Sequence, residues 1–342
     1  MSNEQIVVTP KQDLHAAVAN APKNAELILA PGKYVLNRPL VVDKTIVMRS
    51  QTGKADDVTI GRNNATVLVV TDGAPTFHGI LFFAPATSDD APVNTNEHDF
   101  IEYKSAVAVR DKGNATFIGC KGASKQKSAF SARGKKARIT LEKCWIPYAC
   151  AGGLFVDGLG EGVVKESLIQ NCGWACVDVE EKGSKLSVFN SRLERGGHGA
   201  IVAHNKGFVY VENCKVDVGV TFGAVVYGKS QLEAKGTSFY TDVPNENPIV
   251  VDKRYGVSLE DGTAKLVDCF MAKLVLGVFM SDPEGKIELK RVKTQPGLLT
   301  PLVYISENPS SVKISDCSFG EPPLDMQTFM SALYRMGYRP AE

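Results

Sequence analysis

Histidine, carboxylate and arginine side chains can move protons or neutralise charge near pH 7, and this chain places several of them at comparable intervals. Two of its five histidines, His198 and His204, stand in the stretch RLERGGHGAIVAHNKG, Arg192–Gly207. An imidazole there would serve as an acid or base, as a substrate contact, or as a packed ring in a turn. Upstream, Asp157, Asp178 and Glu180 supply carboxylates, while Arg110 and Arg133 supply guanidinium groups. What these residues can do together depends on the elements that position them.

The chain is repetitive. Segments ending at Cys120, Cys144, Cys172, Ser191 and Cys214 follow one another at steps of 24, 28, 19 and 23 residues, and Cys269 to Cys317 spans 48. Each segment is followed by a second apolar stretch, among them SAVAVRD, SAFSARG, GGLFVDG, WACVDVEE, HGAIVAHN, FGAVVYG and LGVFMSD. These stretches are short, rich in β-branched residues, alternating, and bounded by Gly, Asn and Asp, with no helical periodicity between them. A period of about two dozen residues built from such strands is the signature of a solenoid. Because parallel crossovers are right-handed, the expected fold is all-β, a single-stranded right-handed parallel β-helix.

An open solenoid needs its ends covered, so N- and C-terminal capping helices are expected, flanking the β-helix of residues 25–320. Within residues 1–24, Thr9 is the expected N-cap with Pro10 after it, and Leu14, Ala17, Val18 and Ala21 form the apolar stripe. Within 321–342, Met326, Phe329, Met330 and Leu333 form another before Gly337. The polar run 82–103 is expected to leave the coil as an excursion over one face.

Register then assigns places. In the second stretch, His198 takes the slot of Trp174 one coil before and Phe222 one coil after, with Gly199 aligned to Ala175 and Gly223. His204 takes an outward slot held in preceding coils by Glu180, Asp157, Arg133 and Arg110, with Asp178 outward nearby. Equal slots in stacked coils lie about 4.8 Å apart. Neighbouring carboxylates at that spacing raise one another's pKa, and an adjacent imidazole or guanidinium supplies a base or a charge neutraliser. The bland alternative is a solvated face of alternating charge. Lys125, Lys127, Arg133, Lys135 and Lys136 form a basic cluster beside the column, suited to an anionic ligand.

Two patterns are decoys. Gly223–Ser230 spells a P-loop, yet its middle residues are a strand and another strand follows, where phosphate cradling needs a helix N-terminus. The cysteines, with Asn171, Asn190 and Asn213 directly before their slot, are expected as an interior column beside an asparagine ladder. Cys172 and Cys176 have no histidines at zinc-site spacing, so no metal and no cofactor is expected.

With 39 Lys+Arg against 38 Asp+Glu, the net charge of +1 gives no overall field towards nucleic acid or an anionic membrane. The N-terminal MSNEQIVVTPKQ has no apolar leader core, and unpaired cysteines suit a reducing compartment. A cytoplasmic protein, monomeric because its ends are capped, is the expectation.

The stretch QDLHAAVANAP, followed by AELILAPGKYVL with its turn Pro31-Gly32-Lys33-Tyr34, resembles the opening of pectin-lyase-like β-helix proteins. With the coils that follow, the likeness spans about residues 6–320. That superfamily implies polysaccharide lyases, hydrolases, esterases and epimerases, with phage tailspikes and non-catalytic members beside them. Gly197-His198-Gly199 looks like the polygalacturonase Gly-His-Gly, but that family's Asn-Thr-Asp, Asp-Asp and Arg-Ile-Lys companions are absent, as are the epimerase and pectate lyase motifs.

Together these readings favour a carbohydrate-active or carbohydrate-binding protein holding an extended, acidic polysaccharide. Asp157, Glu180 and His204 would be its acid–base set, with Arg110, Arg133, Asp178 and His198 as substrate contacts. The alternative is a non-catalytic intracellular scaffold whose rod meets a protein partner.

Overall fold

The computed structural model describes residues 4–63, 66–85, 105–219, 221–242, 254–295, 300–304, 311–325, 327, 328 and 331. Its strands form three parallel sheets of 13, 11 and 12 strands, each sheet taking one strand from nearly every coil. Lys185–Phe189 lies in the first sheet, Arg192–Gly196 in the second and Gly199–His204 in the third. Each pairs in parallel with its counterpart one coil away, as Lys185 with Phe208, Arg192 with Lys215 and Ile201 with Ala224.

Alternation decides what points inward. Val177, Val179, Ile201 and Ala203 enter the central core, together with Phe77, Phe82, Phe117 and Phe130. The rings of Phe77 and Phe117 stack at 4.8 Å, so aromatic residues, like aliphatic ones, repeat coil on coil. Each such valine, isoleucine or phenylalanine contributes roughly 1.5–3 kcal/mol by its burial, and the central core runs along the described coils.

The sequence predicts two strands per coil where the structure has three. The middle strand is short and its exposed positions are charged, as in Arg192–Gly196, so it reads as a loop. Its discovery also corrects the cysteine alignment. Between the first and second sheets the chain turns through one left-handed residue, among them Lys143 (φ 52°), Glu166 (φ 48°), Asn190 (φ 49°) and Asn213 (φ 53°). The residue after each turn is Cys144, Ser167, Ser191 and Cys214. Ser167, not Cys172, continues the column, and the steps from Cys120 become 24, 23, 24 and 23 residues.

The column is a zipper of side chain to backbone bonds. Cys144 N donates to Ser167 Oγ at 3.0 Å, Ser167 N to Ser191 Oγ at 3.1 Å, Ser191 N to Cys214 Sγ at 3.5 Å and Cys214 N to Thr237 Oγ1 at 3.3 Å. The sharp turn removes these N–H groups from the sheet ladders, and a small acceptor from the next coil satisfies each of them. Asn190 and Asn213 share the turn slot, whereas Asn171 lies within the second-sheet strand Leu168–Cys172 and its side chain donates to Pro147 O at 3.0 Å. Burial pushes the Cys144 thiol up to about 12 and those of Cys214 and Cys269 to about 11, so these groups stay protonated and inert.

At the front, strand Gln5–Val8 and helix Leu14–Asn20 close the first coil. The N-cap is Asp13, whose Oδ1 accepts from His15 N at 2.8 Å; Thr9 and Pro10 form the preceding turn instead, because Thr9 engages Gln12. Leu14, Val18 and Ala21 are buried. At the back, Asp325 accepts from Thr328 N at 2.7 Å, while Met326, Phe329, Met330, Leu333 and Gly337 lie outside the described residues. Of the expected excursion, Phe82 and Phe83 instead belong to strand Leu81–Ala84, and 86–104 lies outside the described residues. Gly223–Ser230 is a strand and turn as expected, leading into strand Gln231–Lys235. Among the described residues no helix is long and apolar enough to cross a membrane.

Candidate functional site

The third sheet positions every predicted site residue except His198, which stands at the corner just before strand Gly199–His204. Pairing of Arg110 with Arg133, Arg133 with Asp157, and Glu180 with His204 reproduces the expected column, and Val156 opposite Val179 sets Asp157 beside Glu180. Because Val177 and Val179 point into the core, Asp178 and Glu180 point outward from the same strand, Ala175–Glu180.

The carboxylates are not equally accessible. Asp157 was expected on an exposed face and is instead 1% exposed; its Oδ2 lies 3.5 Å from Arg133 Nε, and its buried Oδ1 has no hydrogen-bond partner. Burial raises its pKa to about 6, Arg133 opposes that rise, and Glu181, Glu180 and Asp178 add to it. Asp178 is also buried, and burial raises its pKa, with the nearby imidazole of His204 opposing the rise.

His204 joins these groups. Its Nε2 lies 3.2 Å from Asp178 Oδ1 and its Nδ1 lies 3.8 Å from Glu180 Oε1, while the Tyr227 ring stacks on it at 5.3 Å. Glu180 Oε1 is held by Asn205 Nδ2 at 2.8 Å, from the turn that follows His204. Asp178 is therefore built against the imidazole rather than left free for a substrate. Tyr227 and Asn205 were missed in the sequence because each becomes a neighbour only when one strand is laid on the next.

His198 stacks on Trp174 at 4.2 Å and meets Phe222 edge-on at 6.2 Å, as its slot predicts. The register behind that contact differs by one residue. Ile201 opposite Ala224 brings Phe222, not Gly223, level with Gly199, since the turn after His204 is one residue shorter than the turn after Glu180. The glycine before His198 is steric: a Cβ on Gly197 would stand 2.1 Å from Gly173 O. The Gly-His-Gly frame is thus a tight corner carrying a stacked ring.

Of the basic cluster, Lys125, Lys135 and Lys136 are exposed, but Lys127 is 4% exposed and does not share that solvated face. It stands at the corner between sheets, where Ala151 N donates to Lys127 O at 3.0 Å. Among the described residues no group of three or more His, Cys, Asp or Glu is arranged to hold a metal.

The outer face of the first sheet supplies a contrast. There Arg138 pairs with Glu161 at 2.8 Å, Lys235 with Glu212 at 3.0 Å and Lys265 with Glu288 at 3.1 Å, so opposite charges alternate along the stack. On the third sheet like charges are neighbours, Arg110 against Arg133 and Asp157 against Glu180. A face selected only for solvation avoids such neighbours, which cost stability.

Comparison with known proteins bears on the fold. The family description "Right handed beta helix region" matches residues 105–270. No curated protein matches the chain. Among solved structures the chain is similar to the A-module of the Azotobacter vinelandii mannuronan C-5 epimerase AlgE6, with a TM-score of 0.61 at 11% identity over 90% of this chain and 94% of that one. It is also similar to the catalytic domain of a GH87 alpha-1,3-glucanase, with a TM-score of 0.56 at 10% identity over 94% of this chain and 66% of the other. An alginate lyase from Paenibacillus sp. str. FPU-7 gives a TM-score of 0.53 at 10% identity over 93% and 99%. Identities this low speak for architecture alone. The chain is thus a right-handed parallel β-helix, with residues 105–270 matching the family description of that region.

Proposed function

We propose that this protein is a carbohydrate-active β-helix that holds an extended, acidic polysaccharide along the outer face of its third sheet. The observation that carries the reading is the grouping of Asp157, Asp178, Glu180 and His204 on adjacent strands, with two buried carboxylates and Arg110 and Arg133 directly above them. Asp157 beside Glu180 sets two carboxylates on neighbouring coils, an arrangement that by itself lowers stability. Solved β-helices of similar fold, by their names, include a mannuronan epimerase, an alginate lyase and a glucanase, which supports a saccharide as the partner.

In this reading each group has a role set by its surroundings. Asp157, its proton retained to about pH 6 by burial, is the acid. His204, braced by Asp178 on one nitrogen and Glu180 near the other, is the base, and it is oriented before substrate arrives. Glu180 stabilises the imidazolium that forms when His204 takes a proton. Arg110 and Arg133 neutralise substrate carboxylates, and His198 lines the track beside them. Proton abstraction beside a uronate carboxylate and hydrolysis of a glycosidic bond both fit this set.

The test is calorimetric titration with a panel of acidic and neutral oligosaccharides, using the parent protein and the Asp157→Ala/Glu180→Ala/His204→Ala variant. The expected result is binding of an acidic member that the folded variant loses. Silence across the panel, or equal binding by the variant, overturns the reading and turns the search to protein partners.

A further inference from the structure

At the corner between the second and third sheets, one position per coil is filled in turn by Lys127, Ala151, Trp174 and His198. They are tied by Ala151 N to Lys127 O at 3.0 Å, Trp174 N to Ala151 O at 3.0 Å and His198 N to Trp174 O at 2.7 Å. The rings of Trp174 and His198 are nearly parallel, 9° apart, so His198 covers one face of the indole. The other face looks towards Ala151, whose side chain ends at a methyl group and cannot reach the outer part of the indole. Coils are spaced about 4.8 Å apart, so the gap between Trp174 and the level of Lys127 is about 10 Å, room for one ring.

The notch opens to solvent, since Cys150 is exposed and Ala151 and Trp174 are half-buried. It also adjoins the acid–base groups, because Trp174 directly precedes the strand Ala175–Glu180, which carries Asp178, the carboxylate that touches His204. An indole covered on one side by a stacked ring, and faced on the other by the methyl group of Ala151, is a preformed platform. The bare face of a π-system attracts the C–H edge of a neighbouring ring, and the face of a pyranose is such a surface.

We propose that the face of Trp174 opposite His198 is a stacking subsite for one pyranose ring, with Ala151 as its floor. The proposal rests on the reading that the third sheet holds a saccharide, and it assigns the place where one sugar residue is gripped. Ala151 is the gatekeeper: an aromatic side chain there would extend the ring stack and fill the space.

The chain has two tryptophans, and the other, Trp145, lies on the second sheet beneath Lys121. In a Trp145→Phe background, fluorescence therefore reports Trp174 alone. Titration with the same oligosaccharide panel should give a saturable change in that fluorescence, with the midpoint found by calorimetry. Trp174→Ala should raise the Kd about tenfold, and so should Ala151→Phe, which leaves the existing packing in place and guards against misfolding of the first variant. Binding by calorimetry with unchanged Trp174 fluorescence and unchanged Kd in both variants would overturn the subsite and leave the sheet as the binding face. Absence of binding to every saccharide overturns both.

Discussion

His204 Nε2 stands 3.2 Å from Asp178 Oδ1, on the neighbouring strand, and Glu180 lies 3.8 Å from the other ring nitrogen. One imidazole is thus bracketed by two carboxylates that the alternation of a single strand presents together. A structural ion pair needs only one partner, and it is seldom built from a residue as buried as Asp178. The bracket fixes the ring plane, which a base requires before substrate arrives.

Asp157 should be a source of instability at neutral pH. Its folded pKa of about 6 lies above the ordinary 3.8, so its favourable contribution is complete below about pH 4 and is lost as pH rises through about 6. Asp157→Asn should therefore stabilise the protein at pH 7 by up to about 3 kcal/mol, from roughly 1.4 kcal/mol per pKa unit, with the gain vanishing near pH 4. Urea denaturation of parent and variant at both pH values checks this. A variant no more stable than the parent at pH 7 would show that Arg133 compensates the buried charge fully.

The corner zipper predicts a hierarchy of substitutions at one slot. Ser191→Ala removes the acceptor of Ser167 N, leaving a buried donor unsatisfied, and should cost about 1–3 kcal/mol. Ser191→Cys should cost clearly less, because cysteine fills the same slot at Cys144 and Cys214 and its sulfur accepts from Ser191 N in the coil before. Thermal melting of the two variants decides it, and equal losses would show that the slot selects for volume alone.

Gly197→Ala should destabilise by about 1–3 kcal/mol, since the added methyl would press on Gly173 O across the corner and overpack it. His198→Phe, which preserves a stacked ring on Trp174, should stay within about 1 kcal/mol of the parent in melting experiments. A neutral Gly197→Ala would mean that the corner has slack and that the Gly-His-Gly pattern has some other origin.

Much of this architecture was legible because a solenoid writes its period into the chain. The outward column from Arg110 to His204 followed from aligning the second apolar stretch of successive coils, and the pairings reproduce it. What escaped was the middle strand, whose polar exposed positions hide its pairing, and the shorter turn after His204 that shifts Phe222 by one residue. Burial escaped too. Asp157 and Lys127 read as surface residues, since charge in a sequence carries no sign of the neighbours that will cover it.

Imidazole proton resonances, followed by NMR during titration with an acidic oligosaccharide, test the central claim most directly. His198 and His204 lie on the third-sheet face, whereas His15 is on the capping helix and His78 on the first sheet, which makes the last two internal controls. The account predicts saturable shifts of His198 and His204 with His15 and His78 still, the His204 signal being identified by its loss in His204→Gln. Shifts at His15 or His78 with His204 unmoved would contradict it.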